Sequence, residues 1–376
     1  MKIMPLHEDE KKLRIAMIGH KRIPGREGGV EVVVEELSTR MAAAGHQVTV
    51  YNRAKRGFPK EREYKGVRII TVPTLNKKSL DALIYAFFAS VHALFGHYDV
   101  IHYHSEGPCA MLFIPKIFGK RLVATIHGLD WQRAKWGGLG TRFLLLGERM
   151  AAKHADEVIV LSRNVQKYFM DKYRRDTHYI PNGVNEPVRR EVNLIREKWG
   201  LEKDSYILFL ARIVPEKGLH YLLEAFKGVK TDKKLVIAGD SSHTDGYLQT
   251  IKRMASEDPR VIMTSFVKGE ALEELYSNCL LYVLPSDVEG MPLTLLEAMS
   301  YGCCCLVSSI DECMEVVEDR GVRFLKSEVP DLKAKLEMLS GNADAVEVYK
   351  KKAAVFVARK HCWDVVAEKT GYLYRM

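Results

Sequence analysis

The chain contains no apolar run of about 18 residues, so nothing in it reads as a membrane-spanning helix. Its start, Met-Lys-Ile-Met-Pro followed by Leu-His-Glu-Asp-Glu-Lys-Lys, has no apolar stretch of signal-peptide length. The expectation is a cytoplasmic protein that stays where it is made. Seven cysteines are present without a single C-x-x-C pair. An odd count without a spacing framework argues for reduced thiols. Cys303, Cys304 and Cys305 are consecutive where a short buried strand is expected, and small apolar filler suits them better than metal binding. No G-x-G-x-x-G follows the first apolar run, which argues against a dinucleotide fingerprint. No Asp-x-Asp occurs anywhere.

What is present suffices for two folded cores. A length of 376 residues suggests two domains, and 47% hydrophobic with 28% charged residues is a globular composition. The net charge of +9 is uneven: residues 1–187 hold 30 Lys/Arg against 19 Asp/Glu, and the remainder 27 against 29. The excess is carried by Lys21, Arg22, Arg26, Arg53, Lys55, Arg56, Lys60, Arg62 and Lys65, and further on by Lys116, Lys120 and Arg121. A basic half can attract nucleic acid, anionic lipid or a phosphorylated substrate, or simply keep the surface soluble. No aromatic interleaving on a nucleic-acid-binding motif accompanies these charges, so nucleic acid is not expected as a partner.

Apolar runs expected as strands fall at 13–18, 47–51, 67–72, 99–103, 122–126, 157–161 and 177–180. Helical stretches separate them at 30–44, 80–95, 109–117, 141–154 and 163–173. Residues 181–187, Pro-Asn-Gly-Val-Asn-Glu-Pro, read as a linker. The alternation then restarts, with strands at 206–210, 234–238, 260–263, 280–284 and 303–307 and helices at 219–226, 246–255, 270–279 and 292–301. Continuous apolar strands alternating with helices imply parallel sheets covered on both faces. The expected fold is therefore α/β, with two tandem Rossmann-like, doubly wound domains over 1–187 and 188–360. Such sheets bind ligands at the carboxyl ends of their strands.

Residues 285–299 carry the most specific chemistry. A strand runs into a loop holding Glu289 and Gly290, Pro292 opens a helix, and Glu297 lies within it. Amides of a first helical turn lack intrahelical partners and sit at the positive end of the dipole, which suits a phosphate. Glu289 and Glu297 add acceptors on either side, suited to sugar hydroxyls. Phosphate donors flanked by hydroxyl acceptors fit a nucleotide-sugar. Upstream, Arg212 and Lys217 follow another strand, and a planar fork beside a point charge suits two adjacent phosphates. Those cations would also offset charge growing on a leaving diphosphate. Gly28 and Gly29 end the loop at 20–29, where bare backbone can approach a phosphate or sugar. The paired carboxylates of a glycosidase are the competing reading, which the helix N-terminus disfavours. His102 and His104 form an H-x-H at a strand end without a third ligand at a suggestive spacing, and read as site-lining or structural.

This arrangement resembles the C-terminal signature of the retaining, B-fold (GT-B) glycosyltransferases of sequence family 4. Ala211-Arg212-Ile-Val-Pro-Glu216-Lys217-Gly218 is similar to that family's pyrophosphate-binding turn, Gly28-Gly29-Val30-Glu31 to its glycine loop, and His127-Gly128 to its end-of-strand histidine. Residues 125–136 further resemble members that build bacterial cell-surface polysaccharides, of the rhamnosyl, glucosyl or galactosyl transferase type.

The resemblance implies two domains facing across a cleft, with a terminal helix in 361–376 crossing back onto the first. It implies donor contacts from Gly28, Gly29, Arg212, Lys217, Phe266, Val267, Glu289, Gly290, Met291, Pro292, Leu293, Thr294 and Glu297. In it, His127 faces the donor sugar, with Arg212, Lys217 and Glu289 as the other catalytic groups, and the reaction retains configuration. The acceptor is expected near Glu31, Asp130, Trp131, Arg133 and Trp136, where aromatic faces stack on sugars and Arg133 could hold a carrier phosphate. A lipid-linked acceptor would account for the basic half and bring the protein to the inner face of an anionic membrane. Without Asp-x-Asp, no metal and no cofactor are expected. A nucleotide-sugar epimerase of the same fold and a non-catalytic nucleotide-sugar-binding scaffold are the alternatives.

Overall fold

The computed structural model describes residues 11–26, 28–54, 61–75, 80–133, 136–241 and 244–376. The opening decapeptide and Lys55, Arg56 and Lys60, all used in the sequence reading, lie outside the described residues. The chain divides into two compact units, one of 1–183 with 363–376 and the other of 184–362. The bounds expected from the sequence are 187 and 360. Val184 belongs with the second unit because its amide bonds the His361 carbonyl at 2.9 Å and it bridges to Cys362.

In the first unit the strands are β1 Arg14–Ile18, β2 Gln47–Arg53, β3 Glu63–Tyr64, β4 Val67–Val72, β5 Val100–His104, β6 Leu122–Ile126, β7 Glu157–Val160 and β8 His178–Tyr179. Among the described residues they form one sheet in the order β3-β4-β2-β1-β5-β6-β7-β8. All pairs are parallel except the short β3–β4 hairpin. Burial explains the continuous apolar strands, since Ile15, Ala16, Met17 and Ile18 are all sealed between the two helical layers. At the end of β1 the backbone turns at Gly19 with φ +135°, where a Cβ would meet the His104 carbonyl oxygen at 2.1 Å. Only glycine lets β1 and β5 meet there.

The stretch expected as one helix over 109–117 is two short pieces, Glu106–Cys109 and Phe113–Ile117. Pro115 has no N–H to give Met111, so a continuous helix is broken. The terminal helix Trp363–Arg375 packs on helix Gly29–Ala43 of the first unit, as the resemblance implies. Arg40 holds Asp364 at 2.8 Å, and the Tyr374 hydroxyl lies 2.6 Å from His102 Nδ1.

In the second unit the strands are β9 Tyr206–Leu210, β10 Lys234–Ala238, β11 Val261–Ser265, β12 Leu281–Leu284, β13 Cys304–Ser308 and β14 Val322–Phe324. They form a parallel sheet, ordered β11-β10-β9-β12-β13-β14. Strand order reverses between β9 and β12, so the loops after these two strands lie side by side at a topological switch point. Helices Val329–Ser340 and Ala343–Lys360 and strand β14 are additions to the sequence reading. Among the described residues no helix is long and apolar enough to cross a membrane.

Candidate functional site

In the second unit, β9 ends in a loop carrying Arg212, a 3-10 turn at Pro215–Lys217, and Gly218. Gly218 sits at φ +65°, and a Cβ there would come 1.9 Å from the Pro285 carbonyl oxygen. This glycine therefore presses the β9 loop against the β12 loop. The Asp287 amide bonds the Glu216 carbonyl at 2.9 Å across the same junction, and Tyr221 OH reaches Asp287 at 3.2 Å. The result places Lys217 Nζ 2.5 Å from Glu289 Oε1, with side chains 13% and 6% exposed. Ser286 Oγ donates to the same oxygen at 2.7 Å. Glu289 is thus fixed by one charged and one neutral donor from separate loops.

The helix after this loop is Leu293–Tyr301, with Pro292 as its N-cap at φ −74° and ψ 101° rather than its first helical residue. The difference arises because Pro292 still has extended ψ while its carbonyl already accepts from Leu295 and Leu296. No side chain caps this helix, so its first-turn amides keep the capacity to bind an anion. Tyr282 OH donates to Thr294 Oγ1 at 2.8 Å, and Tyr276 OH to Glu297 Oε2 at 3.1 Å. Two tyrosines buried beneath the helix therefore orient the two polar groups on its first turns. Tyr276 in turn stacks on Tyr301 at 5.2 Å and 20°. Gly290 and Met291 are buried between Glu289 and the helix. Phe266 and Val267 follow the edge strand β11, separated from β9 by β10, and the Phe266 ring is exposed.

In the first unit, Gly28 caps helix Gly29–Ala43 with extended backbone, and Gly29 is its first residue. A Cβ on Gly28 would come 2.5 Å from Glu31 Oε2. Glu31 is buried and accepts from the Lys21 amide at 2.9 Å, so it braces the loop after β1. Glu35 does the same for the Gly25 amide at 3.2 Å. Asn52 clamps Ile23 through both backbone groups and also meets His20 Nε2 at 2.9 Å.

His127 follows β6, buried, with Nε2 3.1 Å from His104 Nδ1. The His102 ring lies 4.1 Å from that of His104, tilted by 34°, and its Nε2 meets Thr125 Oγ1 at 2.7 Å. Burial pushes His20 and His127 down to about 4 and His102 to about 3, and holds His104 well below its usual value. All four rings are neutral at pH 7. Among the described residues no group of three or more His, Cys, Asp or Glu is placed to hold a metal ion.

The remaining acceptor candidates cluster on one short segment. Asp130 pairs with Arg133 at 3.0 Å, and Trp131 Nε1 donates to Glu148 Oε2 at 3.0 Å. Trp136 packs near Gly140. Glu148, wholly buried, also receives Tyr168 OH at 2.9 Å and Lys172 Nζ at 2.8 Å. Beside it, Glu106 is wholly buried with both carboxyl oxygens unpartnered. Burial first, then the charges of Asp130 and Glu148, push Glu106 up to about 10. Glu106, Glu148 and the paired tyrosines beneath Thr294 and Glu297 have no local sequence signal, because each is defined by partners far away in the chain.

Residues 27–186 match the family described as Glycosyltransferase Family 4, and residues 191–358 that described as Glycosyl transferases group 1. An uncharacterized glycosyltransferase of Methanocaldococcus jannaschii is 25% identical over 97% of this chain and 98% of its own length. The UDP-Gal:alpha-D-GlcNAc-diphosphoundecaprenol alpha-1,3-galactosyltransferase of Escherichia coli is 26% identical over 65% of this chain and 67% of its own length. Among solved structures, sucrose-phosphate synthase from Thermosynechococcus elongatus matches with a TM-score of 0.85 at 22% identity, covering 97% of this chain and 98% of that one. The two family matches together take in most of the chain, leaving only 187–190 between them, and the protein belongs to the family 4 glycosyltransferases of the two-domain GT-B fold.

Proposed function

We propose that this chain transfers a hexose from a nucleoside-diphosphate sugar to a lipid-linked glycan, with retention of configuration, during cell-surface polysaccharide synthesis. The observation that carries the donor half is the Lys217–Glu289 pair, made by loops from two adjacent strands at the switch point of the second sheet. In this reading Arg212 and Lys217 hold the diphosphate with the first-turn amides of helix Leu293–Tyr301. Glu289 accepts from donor-sugar hydroxyls, and Glu297, held by Tyr276, from the ribose. Lys217 is placed to stay with the leaving diphosphate as its charge grows. A donor phosphate oxygen takes the acceptor's proton in a same-face attack. Protein cations and the helix dipole take the place of a divalent metal, a reading that rests on the lack of Asp-x-Asp in the sequence.

The acceptor half rests on the Trp131 segment, on the basic first unit, and on the Escherichia coli relative, whose own name specifies a diphosphoundecaprenol-linked acceptor. The reading puts the enzyme on the cytoplasmic face of a membrane. Its test is transfer from radiolabelled nucleotide-sugars to extracted lipid-linked oligosaccharide in the presence of EDTA. Glu289→Ala and Lys217→Ala should each lower turnover at least about 100-fold with the fold intact. Near-normal turnover in either variant, or a full requirement for metal, would contradict the assignment.

A further inference from the structure

We propose that the outer helical face of the first unit is a docking surface for an anionic lipid bilayer. From β4 the chain crosses to β5, then β6, then β7, always in one direction along the sheet. Right-handed crossovers therefore set helices Leu80–Phe95, Phe113–Ile117 and Leu139–His154 on one face. Helix Gly29–Ala43, whose crossover runs the other way, lies with the terminal helix on the opposite face. The three helices of the first face pack side by side.

Their outward sides are apolar where a water-facing helix should be polar. Helix Leu80–Phe95 buries Tyr85, Ala86, Ala89 and Ala93, which leaves Phe87, Phe88 and Phe95 outward, the last 80% exposed. Ile117 and Phe118 continue the ridge at 76% and 66% exposure. On the third helix exposed Leu139 and Leu146 alternate with exposed Arg142 and Arg149, one turn apart. Exposed aromatic clusters of this kind mark a binding face rather than a solvated one.

Charge identifies the occupant. From 80 to 157 the sequence holds eight Lys/Arg and seven acids. Glu106 and Glu148 are fully buried, and Asp81, Asp99, Asp130, Asp156 and Glu157 are paired with Arg53, Arg14, Arg133, Lys116 and Arg121, while Arg142, Arg149 and Lys153 of the third helix stand exposed. The face therefore presents bulky apolar groups and cations with its acids withdrawn, which complements anionic headgroups above an acyl layer. A second copy of the chain would oppose like charge to like. The proposal extends the reading of a lipid-linked acceptor, but its support is independent of that reading.

The test is flotation of the full chain with vesicles of phosphatidylglycerol and phosphatidylcholine, or of phosphatidylcholine alone. The wild type should float only with the anionic vesicles, and less in high salt. Phe95→Ser with Phe118→Ser, and separately Arg142→Glu with Arg149→Glu, should each reduce the bound fraction at least about tenfold. Thermal stabilisation by nucleoside diphosphate should be unchanged in both variants, which shows that they remain folded. Equal flotation with neutral vesicles, wild-type binding by both variants, or a dimer in sedimentation velocity that these substitutions dissociate would overturn the proposal. Lipid binding as expected without transfer to any lipid-linked glycan would sink the acceptor reading and leave the surface standing.

Discussion

Glu106 is the residue whose state departs furthest from its type. Wholly buried, without a partner and close to Asp130 and Glu148, it stays protonated to about pH 10, whereas an unfolded glutamate ionises near its ordinary value. Between those values the native state binds the extra proton, so this group makes the protein less stable as pH rises. Glu106→Gln keeps the shape and a neutral donor while removing that linkage. Urea unfolding at pH 8 should show a gain of at least about 1 kcal/mol over wild type, shrinking toward pH 5. The four histidines work in the opposite sense. Held neutral in the fold well below their ordinary value by burial, His20, His102, His104 and His127 take up protons on unfolding as pH falls through that value. Their contribution is complete above about pH 6.5 and is lost as pH falls toward 4, which a thermal-denaturation series from pH 7.5 to 4.5 would record as a falling melting temperature. Removing only the hydroxyl that meets His102, in Tyr374→Phe, should cost about 1 kcal/mol in the same measurement.

At the scale of elements, two loops and one helix build the proposed donor site, and Gly218 sets the spacing of the loops. A side chain there would require φ +65° and would strike the Pro285 carbonyl. Gly218→Ala should therefore cost at least about 2 kcal/mol in chemical denaturation and weaken nucleotide binding together with it. Both loops were legible in the sequence, since Arg212, Lys217, Glu289 and Pro292 each follow a run of apolar residues that could only be a buried strand. The roles of Glu31 and Glu148 were not legible. Glu31 stands beside the glycine pair in sequence, yet its carboxylate turns back to the Lys21 amide, a contact set by the path of the loop. Helix Ala343–Lys360 escaped for a different reason. It buries Val346, Ala353 and Val357 but leaves Val348 and Val355 half exposed, and that blurs its apolar stripe.

For the whole molecule, the alternation of apolar strands and helices specified two parallel sheets, and the punctuation at 181–187 located the break between them. The placement of the terminal helix with the first unit could not come from periodicity, because an amphipathic stretch does not name the surface that it covers. Resemblance supplied it, and the Arg40–Asp364 and His102–Tyr374 contacts give its physical basis. In the proposed function the second unit binds a nucleoside diphosphate through Arg212, Lys217, Glu289 and the first turn of helix Leu293–Tyr301. The most direct test of that binding is a metal-free thermal-shift titration with nucleoside diphosphates, their sugars and NAD(P). A ligand that binds only the folded state raises the melting temperature by an amount that grows with its concentration above Kd. One nucleoside diphosphate should stabilise the protein, and Arg212→Ala should abolish that gain. No response to any nucleoside diphosphate, a response to NAD(P) alone, or an undiminished shift in Arg212→Ala would contradict the account.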